Sequence, residues 1–143
     1  MRRSVELEVL DVLCDLPDER HRELMRRLNT NLLAQQAALD PLDVPALALA
    51  DQAFHRELYE AANVGPLWSL VRRQSGHVDR LRRLNLPDKG KPQAIVRDHK
   101  AVVEALARKD KGDAVKALRR HLAGTLAFVD DIRARFPDWI VAA

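Results

Sequence analysis

Apolar positions in this chain recur at helical intervals. One stretch carries Leu47, Phe54, Leu58 and Ala62, a second Ile95, Val102, Val103 and Leu106, and a third Val115, Leu118, Leu122, Thr125 and Val129. Spacings of three, four and seven residues place each set on one face of an α-helix. No strand-like alternation of any length accompanies them. Prolines and glycines divide the chain into about six helices. The first runs from about Arg3 to Asp15 and the second from Pro17 to about Leu39, with Asp18 and Glu19 suited to its positive end. The third has Asp43 as N-cap and Pro45 in its first turn, and ends at Ala62 before Asn63-Val64-Gly65-Pro66. The fourth covers Pro66 to Leu84, and NLPDKGKP (85–92) is the longest loop. The fifth runs from about Pro92 to Arg108. Lys109-Asp110-Lys111-Gly112 turns the chain, and the sixth helix, with Asp113 as its expected cap, runs to about Arg135. Connections this short make sequential helices antiparallel neighbours. The expected fold is an all-α antiparallel bundle of six to seven helices in a single domain.

Several inner faces carry polar intruders. Asp51 and His55 lie within the third helix's stripe at i and i+4, pointing the same way one turn apart. His99 sits near the centre of the fifth helix's stripe, His121 at the edge of the sixth, and His77 between Leu70, Leu81 and Leu84 of the fourth. His21, in an arginine-rich stretch, is expected at the surface. A single inward histidine is commonly a hydrogen-bonded core residue. A buried carboxylate costs several kcal/mol unless a cation or donors compensate it. Several inward imidazoles plus one carboxylate in a small bundle therefore converge most simply on a divalent metal. These ligand types suit Zn, and also Ni, Mn or Fe. The spacing excludes a di-iron bundle, since no histidine has a glutamate three positions before it. There is no H-E-x-x-H, and Glu57 and Glu60 fall off the Asp51/His55 face. With no placed base and no G-x-S-x-G nucleophile, binding is favoured over turnover. On the fourth helix, Arg73, His77, Arg80 and Leu84 fall within about 60° of one another. An arginine beside a metal would bind a carboxylate through its planar fork of donors, although it could equally reach solvent or pair with an acid.

Composition narrows the rest. Across 143 residues, 47% are hydrophobic and 31% charged, a globular balance that is too apolar for disorder. The net charge of +3 comes mostly from arginines in RHRELMRR (20–27) and RRQSGHVDRLRR (72–83). Both stretches lie in helical patterns with acids and leucines, and neither contains a helix-turn-helix or zinc-finger pattern. Cys14 is the single cysteine, so no internal disulfide forms. The acids at 6, 8 and 11 rule out an apolar signal core at the start, and no apolar run approaches bilayer-spanning length. The expectation is a cytoplasmic protein.

Three spaced motifs together resemble one family. D-x-x-x-H within DQAFHRELYEAANVGPL (51–67), a histidine within RDHKAVVEAL (97–106), and a further one in ALRRHL (117–122) are similar to the FCD domain, the C-terminal effector-binding domain of FadR-subfamily GntR transcription regulators. The resemblance spans essentially the whole chain and includes HVDRLRRLNLP as the family's arginine-rich fourth helix. It implies a cation, often zinc, held by Asp51, His55, His99 and His121 in a central cavity. It further implies a small carboxylate effector, such as a sugar acid, contacted by Arg80, with Arg73 and His77 as further candidates, and a homodimer. The family's N-terminal winged helix has no room before the first helix, so DNA binding is expected only through a module outside this chain. Two other readings stay open: a small metal-dependent enzyme such as a lyase or hydrolase, and a metal-free helical interaction module.

Overall fold

The computed structural model describes residues 2–85, 90–135 and 137–138, with side chains throughout these except at 75, 77–79, 81–85 and 124–133. Six helices follow one another: α1 (Arg2–Cys14), α2 (Asp18–Ala37), α3 (Val44–Ala61), α4 (Gly65–Asn85), α5 (Lys91–Ala107) and α6 (Lys111–Arg135). There is no β-strand among the described residues, only an isolated bridge between Leu39 and Leu42. The all-α expectation holds, with element ends within a few residues of those the sequence suggests.

Local chemistry explains most boundaries. Asp43 caps α3 as expected, its carboxylate accepting the Ala46 N–H at 3.0 Å with Pro45 in the first turn. Asn63 follows α3 with φ of 63°, the left-handed conformation asparagine tolerates, while its N–H reaches Glu60 O and the Val64 N–H reaches Tyr59 O. That pair of bonds is a Schellman closure. The same closure ends α5 around Lys109, with φ of 56°, Lys109 N–H to Leu106 O and Asp110 N–H to Ala105 O. Here the structure corrects the sequence reading. The α5–α6 turn bends at Lys109 and not at Gly112, which lies inside α6. Asp110 caps α6, its Oδ1 accepting the Asp113 N–H at 3.0 Å. Asp113, the expected cap, instead accepts a hydrogen bond from Arg108 at 3.0 Å.

α2 and α3 lie antiparallel, fastened at one end by Asn31 to the Ala50 carbonyl (2.9 Å) and at the other by Arg20 to the Ala61 carbonyl (3.4 Å). α5 and α6 form a second antiparallel pair, bridged by Arg120 and Asp98 at 3.2 Å. α2 also packs on α5, α1 on α6 and α3, and α4 on α3 and α6. Leu10, Leu13, Leu28, Phe54, Leu58, Tyr59, Val102, Leu106 and Leu118 are fully or almost fully buried where these elements meet. A smaller apolar group of Ala38, Leu47, Ala48 and Val96 closes the end near the α2–α3 turn. Beside these apolar side chains α1, α2, α3, α5 and α6 also bury polar ones.

Candidate metal centre

α3 supplies Asp51 and His55, α5 supplies His99, and α6 supplies His121. Helical repeat puts the first two one turn apart, and the antiparallel pairing of α5 with α6 brings His99 opposite His121. His55, His99 and His121 are buried, and Asp51 is 9% exposed. One ligand atom from each residue falls in a group whose members all lie within 4.8 Å of one another. Asp51 Oδ1 is 3.2 Å from His99 Nε2 and 3.5 Å from His55 Nε2. His121 Nε2 is 3.2 Å from His99 Nε2 and 3.3 Å from His55 Nε2. Metal–nitrogen bonds of about 2.0–2.1 Å set neighbouring ligand atoms roughly 3.0–3.4 Å apart. The four separations lie at or close to that range, and the whole set fits within 4.8 Å.

The tautomers settle what those atoms offer. Asn31 Nδ2 donates to the Ala50 carbonyl, which can only accept, so Asn31 Oδ1 faces Gln35. Gln35 Nε2 donates to that oxygen at 2.6 Å, leaving Gln35 Oε1 toward His99 Nδ1 at 2.8 Å. The His99 proton therefore sits on Nδ1, and the Nε2 lone pair faces the centre. For His55 the same outcome follows from Glu6, whose Oε2 accepts from Nδ1 at 3.1 Å. Burial pushes the Glu6 carboxyl up, but the charge and hydrogen bond of His55 and the Arg2 guanidinium outweigh it and hold Glu6 at about 2. Glu6 is thus ionised and can only accept. Two imidazole lone pairs and a carboxylate oxygen converge, with the buried Asp51 Oδ1 facing the Nε2 atoms of His55 and His99. Such a set of electron donors is mutually repulsive until a proton or a cation enters it. Burial lowers the proton affinity of His55, yet Glu6 and the Asp51 hydrogen bond overcome this and its pKa is raised. The residues fit a divalent metal.

Packing holds the rings. Phe54 stacks on His99 with centroids 4.1 Å apart and meets the His55 ring edge-on at 5.5 Å. His55 lies nearly parallel to His121 at 5.3 Å and to Trp68 at 6.5 Å.

Every residue the sequence suggested as a metal ligand is thus brought to one point. Arg73 and Arg80 are exposed on α4, and the side chain of His77 lies outside the described residues. Glu57 and Glu60 face outward and pair with Arg27 (3.5 Å) and Arg56 (2.9 Å). The expected surface position of His21 is corrected: it is 8% exposed, and its Nε2–H donates to the Leu106 carbonyl at 2.8 Å. Glu6 and Gln35, which bond to His55 and His99, are residues the sequence reading missed. A signal for all three was present. Glu6 falls three and four positions before Val9 and Leu10, while His21 and Gln35 extend the stripe Leu24, Leu28, Leu32 in both directions. No helix among the described residues is long and apolar enough to cross a membrane.

The chain is similar to known proteins over most of its length. The family model described as "FCD domain" matches residues 1–124. A Streptomyces ambofaciens protein, "Uncharacterized HTH-type transcriptional regulator in unstable DNA locus", is 33% identical over 138 residues, covering 96% of this chain and 56% of its own length. The "HTH-type transcriptional repressor RspR" of Escherichia coli K12 is 29% identical over 114 residues, 79% of this chain and 50% of its own. The chain spans about half the length of these curated relatives. It belongs to the FCD family.

Proposed function

We propose that this FCD domain is the metal-dependent sensor of a transcription regulator, binding a small carboxylate effector at a cation held by Asp51, His55, His99 and His121. The convergence of four ligand atoms, two of them in tautomers fixed by Glu6 and Gln35, carries the reading. Three imidazoles and one carboxylate favour zinc, with Ni, Mn and Fe as alternatives. The cation would neutralise the inward donors and offer a Lewis-acid contact to an effector carboxylate. Arg80, with Arg73 and His77, would supply directional hydrogen bonds from α4. The relatives are named as HTH-type regulators, so DNA contact belongs to a separate helix-turn-helix domain. Within a homodimer, effector binding would bias the placement of such domains through a two-state coupling. We read the domain as non-enzymatic, because the relatives are regulators and Glu57 and Glu60 are engaged by arginines away from the centre.

The test is thermal unfolding of zinc-loaded and chelated protein against a panel of sugar acids and short organic acids. A ligand-specific rise in Tm that needs both zinc and Arg80, and is lost in Arg80→Ala, is expected. The same rise in chelated protein, or in the variant, would contradict the reading. Steady turnover of any panel member by the zinc form would favour an enzyme instead.

A further inference from the structure

The polar network around the centre reaches α1 through Glu6, and this link differs in kind from the one that reaches α2. Glu6 is 0% exposed, and its carboxylate takes three hydrogen bonds: from His55 Nδ1 (3.1 Å), from Tyr59 OH (3.3 Å) and from Arg2 Nε (3.0 Å). Along α1 it is the first fully buried residue; Val5 and Leu7 pack on the core while only partly buried, and full apolar burial starts at Val9 and continues through Leu10, Leu13 and Cys14. In the opening turns of α1 the fully buried anchor is therefore a carboxylate on a metal-ligand histidine, flanked by the partly buried Val5 and Leu7. Gln35, by contrast, is neutral. α2 remains docked by Leu24, Leu28 and Leu32 and by the His21 bond to Leu106, whatever the state of His99.

We propose that Glu6 is a positioning residue through which occupancy of the metal centre sets how firmly α1 docks on the bundle, an inference that rests on the metal reading above. Compared with the neutral imidazole, a cation on His55 Nε2 withdraws electron density from the ring and makes Nδ1–H a stronger donor. The bond to the Glu6 carboxylate then tightens. Coupling of this kind is reciprocal, so α1 docking also strengthens metal binding. The α2 link responds less, because a neutral amide gains less than a carboxylate from a more polarised donor.

Amide hydrogen exchange of the full chain at a pH above the raised His55 pKa, read by mass spectrometry with zinc chloride or with a chelator, tests this. In the wild type zinc slows exchange in α5 and α6, which carry His99 and His121, and also slows α1 by at least about fivefold. In Glu6→Gln zinc binding weakens by about 10- to 100-fold. At saturating zinc α5 and α6 are still slowed, and the response of α1 is lost. Tyr59→Phe, which removes another Glu6 contact but keeps the histidine link, retains the α1 response. Slowing of α5 and α6 without α1 in the wild type would overturn the proposal and leave the metal reading standing. Zinc that changes exchange nowhere would overturn both. An undiminished α1 response in Glu6→Gln, or its equal loss in Tyr59→Phe, would reduce Glu6 to a packing residue. Should Glu6→Gln fail to fold by circular dichroism, the wild-type comparison still decides.

Discussion

Two buried residues, Glu6 and His55, have opposite dependence on pH, and the signs are fixed by their shifts. Glu6 is depressed from 4.5 to about 2, so its contribution to folding is full above pH 4.5 and is lost as pH falls toward 2. The effect is on the order of 3 kcal/mol. His55 is raised above 6.5 in the metal-free chain, so its contribution is full below pH 6.5 and fades as pH climbs through the raised value. Urea unfolding of chelated protein from pH 5 down to pH 2 should therefore show a steep loss of stability in the wild type and a shallower one in Glu6→Gln. Equal slopes would contradict the buried Glu6–His55 pair. The same raised pKa means that zinc must displace a proton from His55, so metal affinity should fall as the solution is acidified.

At the scale of elements, the inward faces of α3, α5 and α6 were legible because the 3.6-residue period fixes direction without any knowledge of partners. Asp51, His55, His99 and His121 were found that way. Residues outside the conspicuous histidine faces were not. Glu6 was read only as an acid that spoils a signal sequence, and His21 was judged by its arginine neighbours in sequence, although both sit on apolar stripes. The α6 start was misread for a related reason. Asp110 and Asp113 are both plausible caps, and only the Schellman closure at Lys109 decides between them. Asp110→Ala should cost about 1 kcal/mol of stability. Asp113→Ala, which removes an exposed pair with Arg108, should cost between about 0 and 1 kcal/mol. Thermal unfolding of the two variants separates them, and a larger loss in Asp113→Ala would favour the sequence-based cap.

For the molecule as a whole, periodicity supplied the all-α class and the helix order, while the family's motifs supplied the expectation of a single site shared by three helices. What periodicity could not supply is depth. It did not say how deeply the α4 arginines lie, and Arg73 and Arg80 are exposed on that helix. The bundle is built around polar groups from α1, α2, α3, α5 and α6, and a purely apolar core would not need the Asn31–Gln35–His99 chain that starts from a backbone carbonyl. The central claim is that a cation organises these groups. Elemental analysis by mass spectrometry of protein purified without a metal-affinity column, beside His99→Ala/His121→Ala, tests it most directly. The account predicts close to one equivalent of a divalent metal, zinc foremost, in the wild type and its loss in the double variant. A folded wild-type protein that holds no metal even after incubation with zinc, or a double variant that keeps its full complement, would contradict it.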